Sequence, residues 1–149
     1  MKLKQNPNIL FLFSDQHRWC DLGCYGNDQI ISPNLDAFAQ KAIRFNNCIS
    51  NSPVCVPARG SLLTGLFPLR HGAVSNDLPM RKDVESISHV LAREGYHTGY
   101  IGKWHLAGIP RDQYIPEGKG RFGFKEWKVA NCNHDYMNAY YYDEENNRG

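Results

Sequence analysis

The chain has 149 residues, 42% of them hydrophobic and 21% charged, with a formal net charge of +2 at pH 7. That length suits one domain with a real core, and the near-neutral balance carries no footprint for nucleic acid or for a membrane surface. Nothing approaches the ~18 consecutive apolar residues of a membrane span.

The first apolar run, Ile9–Phe13, is shorter than the ~7–15 residues of a secretory signal core. The chain as written therefore reads as cytoplasmic, or as periplasmic or secreted if a leader was removed. Five cysteines, odd in number and unevenly spaced, do not make a disulfide framework. Continuous apolarity over Ile9–Phe13 predicts a strand buried on both faces, as in the centre of a parallel sheet. Its polar end would put Asp15 at the carboxyl edge, where open α/β sheets bind ligands.

Ser32-Pro33 is a helix start, with serine at the N-cap and proline at the first position. Leu35, Phe38, Ala39, Ala42 and Ile43 follow at helical spacing, predicting a face packed on the sheet. A short helix is expected from Pro57 to Thr64, stopped by Gly65. Another is marked by Ile87, Val90 and Leu91 and ended by Gly95, and His97–Ile101 reads as a second strand. Strand, helix, helix, strand argues for an α/β layer architecture. Residues 109–149 read as an irregular, aromatic-rich segment.

Cys55 lies just ahead of the Pro57 helix start, where backbone N–H groups and the helix dipole favour an anion or a nucleophile. Arg59, four residues on, shares that helix face. The stretch Pro53-Val54-Cys55-Val56-Pro57-Ala58-Arg59-Gly60-Ser61-Leu62-Leu63-Thr64-Gly65 resembles the first signature of the sulfatase family, whose core is Cys-x-Pro-(Ser/Ala)-Arg. Gly95-Tyr96-His97-Thr98-Gly99-Tyr100-Ile101-Gly102-Lys103-Trp104-His105-Leu106 is similar to the second signature, and Asn8–Gln16 to the first strand and first metal ligand. The motifs stand in family order across residues 8 to 106.

The resemblance implies an alkaline phosphatase-like α/β fold, with a mixed, largely parallel sheet flanked by helices. Residues 1–149 would form the N-terminal part of its catalytic domain. It also implies hydrolysis of sulfate esters by a formylglycine gem-diol made from Cys55, with a divalent metal, Ca²⁺ or alternatively Mg²⁺, held by Asp15, Gln16 and the modified Cys55. Arg59 would hold the diol, Lys103 would bind sulfate oxygens, and His105 would contact diol or sulfate. In an extended segment Lys103 and His105 would project to the same side, about 7 Å apart. Asn76, and from its place in the chain His134, are candidate substrate contacts. Implied partners are a sulfated small molecule or glycan, a formylglycine-generating maturation enzyme, and the remainder of a sulfatase chain. With further metal ligands lying later in the family's sequence, little turnover is expected of these residues alone.

Three other readings fit parts of the pattern. One is a sister hydrolase of phosphonate monoesters or phosphodiesters that uses the same formylglycine. A second is a structural zinc module from Cys20, Cys24, Cys132 and His134. The third is a non-catalytic remnant that binds sulfated ligands.

Overall fold

The computed structural model describes residues 6–135 and 137–149. The chain divides into two compact units, Met1–Cys48 and Ile49–Gly149.

Within the first unit, two single-turn 3₁₀ helices, Trp19–Asp21 and Gly23–Tyr25, precede helix α1, Pro33–Ala39. Proline opens α1 as expected, but Ser32 does not cap it. Its hydroxyl instead donates to the Asp36 carboxylate and accepts from the Gly23 N–H at 2.9 Å. Asp36 in turn accepts from the Cys24 N–H at 2.6 Å, so one carboxylate staples the helix to the preceding turn.

Two expectations fail in this unit. Residues 9–13 form no strand, and Leu10 is 83% exposed. The α1 face is likewise open, with Leu35, Phe38 and Ile43 all exposed. An apolar run becomes a buried strand only when sheet neighbours and covering layers enclose it. The sheet described in this chain is built from other residues.

The second unit carries the core. Helices α2 (Cys55–Thr64), α3 (Pro68–His71) and α4 (Ile87–Arg93) lead into strands β1 (Gly99–Lys103) and β2 (Glu126–Ala130). β1 and β2 pair in parallel, with Gly99 opposite Glu126 and Lys103 opposite Ala130. Gly65 and Gly95 take the left-handed conformation that ends a helix without a Cβ penalty. At Gly95 the motif is complete: Gly95 N–H bonds to the Ala92 carbonyl and Tyr96 N–H to that of Leu91.

β1 lies two residues beyond the expected His97–Ile101. β2 falls inside the segment read as irregular, where Trp127 and Val129 are buried and their neighbours Glu126 and Lys128 are exposed. That two-residue alternation was present in the sequence, set among so many aromatics that no period stood out. Trp104, Trp127, Phe122, Val56, Leu63, Met80 and Leu106 make the buried cluster. Trp104 and Trp127 meet edge to face at 4.9 Å between ring centroids. Among the described residues no helix is long and apolar enough to cross a membrane.

Candidate active site

The site grows from the amino end of α2. The helix begins at Cys55 itself, two residues earlier than Pro57, so Cys55 is its first helical residue and Val54 its N-cap. Valine has no oxygen with which to cap, which leaves early N–H groups seeking acceptors. Pro57 removes one of these donors by having no N–H. Asn76, twenty residues away, satisfies another: its Oδ1 accepts from the Val56 N–H at 3.1 Å. The side chain expected to contact substrate thus also anchors the turn that presents Cys55.

One turn on, Arg59 is 5% exposed. Its Nη1 donates to the Lys103 carbonyl at 2.7 Å and to the Tyr100 hydroxyl at 3.1 Å, tying α2 to the end of β1. The same end of β1 brings the Lys103 Nζ to 3.6 Å from Cys55 Sγ. Cys55 and Arg59 from one motif and Lys103 from another are therefore brought together by side-chain hydrogen bonds between α2 and the end of β1.

His105 joins them differently from the expectation. Backbone pairing continues past β1, with the His105 N–H on the Asn131 carbonyl at 2.5 Å. The residue itself, however, has φ +60°. The extended alternation stops there, so the side chain does not leave alongside Lys103 but is buried, 1% exposed. Among the described residues neither ring nitrogen has a hydrogen-bond partner. Burial, then the positive charges of Lys103 and Arg111, push its pKa down to about 4, against the pull of Asp77. At neutral pH this histidine is an uncharged imidazole.

Sequence reasoning missed Asp77 and Arg111. Their carboxylate–guanidinium pair is bidentate, at 2.8 and 2.7 Å, and it holds the Asp77 carboxyl below the usual range. Asp77 Oδ1 lies 3.9 Å from His105 Nε2. Only adjacency to Asn76 could have pointed to Asp77; Arg111 carries no local signal, since the pair spans 34 residues. The Arg111 carbonyl accepts from the Cys132 N–H at 3.0 Å. Cys132 is buried, which pushes its thiol up, while Lys103 and Arg111 oppose that rise. His134 is exposed, its Nε2 at 3.6 Å from Cys132 Sγ.

Asp15 and Gln16 belong to the first unit and are exposed. A carboxylate and an amide carbonyl are hard oxygen donors of the kind Ca²⁺ and Mg²⁺ take, but Ca²⁺ wants about six to eight. Among the described residues no three His, Cys, Asp or Glu side chains form a group that could hold a metal. The donor set therefore fits such an ion in kind and falls short in number. The four-ligand zinc module has no such group either.

This site, a half-buried cysteine at a helix start facing a lysine, with arginine and histidine behind, lies on a fold of the alkaline phosphatase-like sulfatase type. The chain matches a solved structure of the putative sulfatase yidJ from Bacteroides fragilis at a TM-score of 0.88 and 30% identity, over 99% of this chain and 37% of that one. It also matches BT4656, solved in complex with its substrate D-glucosamine-2-N,6-O-disulfate, at a TM-score of 0.81 and 30% identity, over 97% of this chain and 28% of that one. In sequence it is 43% identical over 140 residues to an ulvan-active sulfatase of Formosa agariphila, covering 94% of this chain and 27% of that protein. The sulfatase family model matches residues 7–149. The chain belongs to the sulfatase family, whose function is the hydrolysis of sulfate esters and whose members typically use a metal and a formylglycine. It spans about a quarter of the length of that Formosa relative.

Proposed function

We propose that this chain carries the nucleophile end of a sulfatase site, in which Cys55, oxidised to formylglycine, cleaves a sulfate ester to inorganic sulfate and an alcohol. The observation that carries the reading is the contact between Cys55 Sγ, at the first residue of α2, and the Lys103 ammonium at 3.6 Å. The aldehyde hydrate supplies two hydroxyls, one to attack sulfur and one whose deprotonation expels sulfate.

This chain's own residues prepare that chemistry. Asn76 holds the Val56 N–H and with it the helix start that aims residue 55. Arg59 fixes the Lys103 main chain through its carbonyl. Lys103 offers a cation where negative charge grows on the sulfate oxygens, the condition under which a prepositioned charge lowers a barrier. His105, neutral at pH 7, serves as a hydrogen-bond partner and not as a cation. His134 stands beyond Cys132 as a contact for the alcohol portion. Asp15 and Gln16 would give hard oxygen donors to a divalent cation, Ca²⁺ or alternatively Mg²⁺, which supplies Lewis-acid polarisation when bound.

For the substrate, the structural relative BT4656 binds a disulfated glucosamine, which favours a sulfated carbohydrate over an aryl ester. Two measurements test the reading. Mass spectrometry of the Cys55 peptide, after co-expression with a formylglycine-generating enzyme, should show a loss of ~18 Da against the thiol. A peptide found only as thiol counts against it. Nitrophenyl sulfate and nitrophenyl phosphonate ester, assayed side by side on a formylglycine-bearing protein of full sulfatase length containing this chain, then separate the sulfatase from the sister phosphonate hydrolase.

A further inference from the structure

The imidazole of His105 presents an unusual condition. It is 1% exposed, and among the described residues no hydrogen bond reaches either nitrogen. In most buried histidines a hydrogen bond at one nitrogen decides where the single proton sits. Here that decision is left to the surrounding charges. Lys103, Arg111 and Arg59 all act against an imidazolium, and Asp77 acts for a proton.

Asp77 is held from both sides for this task. Its backbone sits at φ +68°, a left-handed conformation that aspartate tolerates better than most residues. Its main chain lies so close to Gly108 that a Cβ there would meet the Asp77 carbonyl oxygen at 3.2 Å. The preceding residue, Asn76, is tethered to the start of α2. Across from it, Arg111 grips both carboxylate oxygens, and Arg111 is itself anchored by its carbonyl to Cys132. The carboxylate is thus held with Oδ1 at 3.9 Å from His105 Nε2, outside hydrogen-bond range but near enough for a direct electrostatic pull.

We propose that Asp77 is a positioning residue for His105: clamped by Arg111, its carboxylate holds the imidazole as the Nε2–H tautomer and leaves Nδ1 as the lone-pair nitrogen. A neutral histidine with a defined tautomer presents one acceptor and one donor in known places. A ring free to exchange tautomers presents neither reliably. The inference rests on the sulfatase reading for what His105 does in a reaction. The tautomer itself is a property of the unreacted chain, so the two readings fail separately.

The test is a long-range ¹H–¹⁵N correlation spectrum of the full chain at pH 7, with histidine rings labelled and the His105 signals assigned by their loss in His105→Gln. The wild type should show His105 as Nε2–H. Asp77→Ala should lower the Nε2–H to Nδ1–H ratio about tenfold, as expected on losing a charge beside a shielded ring, and Asp77→Glu should restore it. Should Asp77→Ala not fold, Arg111→Gln keeps the test open. Freed of its clamp, the carboxylate should then close on Nε2–H and slow that proton's exchange with water. An Nδ1–H tautomer in the wild type, an unchanged ratio in a folded Asp77→Ala, or an unchanged exchange rate in Arg111→Gln overturns the proposal. Failure of Cys55 to convert to formylglycine, with the tautomer changes present, speaks against the sulfatase reading alone.

Discussion

Substituting Gly60 by alanine tests the packing that supports the site. Gly60 lies mid-way along α2, between Arg59 and Ser61. Propensity alone favours the change by about 1 kcal/mol, because alanine loses less entropy than glycine in a helix interior. The structure opposes it. A Cβ at residue 60 would lie 2.6 Å from His71 Cε1 and 2.8 Å from Nδ1. The His71 ring is fully buried and cannot step aside cheaply. Its Nδ1 accepts from the Ala73 N–H at 3.2 Å, which puts the ring proton on Nε2, donated to Ser61 Oγ at 3.1 Å. Overpacking costs about 1–3 kcal/mol, and each strained hydrogen bond about 1 more. After the propensity gain, Gly60→Ala should destabilise by about 2–4 kcal/mol. With a urea slope of about 2 kcal/mol per molar, the middle of the usual range for small proteins, the midpoint should fall by roughly 1–2 M. Gly65→Ala is the control: φ is +68° but nothing lies within 4 Å of the new Cβ, so its cost should be about 1 kcal/mol. Adding His71→Ala to Gly60→Ala should cost less than the two separate losses summed, since it removes the colliding ring. A Gly60→Ala chain as stable as the wild type would refute the reasoning.

Three further outcomes are expected. Asn76→Ala should lower stability by about 1 kcal/mol, the usual cost of losing a helix cap, while Asn76→Asp recovers most of it through a carboxylate at the helix start; urea midpoints read both. Arg59→Met should cost about 2–3 kcal/mol, by leaving polar groups at the α2–β1 junction short of a charged donor, and thermal or urea unfolding checks it. The third concerns acid. His105 has a folded pKa near 4, below its ordinary 6.5, so between those values the unfolded chain binds a proton that the folded chain refuses. Its contribution is complete above about pH 6.5 and is lost as pH falls through 4. His71, lowered by burial, adds the same sign. Urea midpoints from pH 7.5 to 4.5 should therefore fall, and His105→Asn should flatten the decline without abolishing it.

The contrast between two apolar stretches explains how far the sequence could be read. Ile9–Phe13 had every mark of a buried strand and is exposed, whereas Glu126–Ala130, obscured by neighbouring aromatics, pairs with β1 and buries Trp127 and Val129. Strand formation depends on partners that composition does not name. Helix ends were legible because their chemistry is local. Gly65 and Gly95 stop α2 and α4 where glycine permits a left-handed residue.

For the site, the resemblance of two short motifs to the sulfatase signatures nominated Cys55, Arg59, Lys103 and His105, and the helix start added a local physical reason for Cys55 and Arg59. What lies across the chain was decided only by tertiary packing. Arg59 reaches the Lys103 carbonyl, Asn76 caps a helix twenty residues back, and Asp77 pairs with Arg111. The same packing made His105, expected to project alongside Lys103, a buried neutral ring, because burial and neighbouring positive charge disfavour its protonated form more than Asp77 favours it. Local sequence selects which groups are available; the folded surroundings set their protonation and their partners.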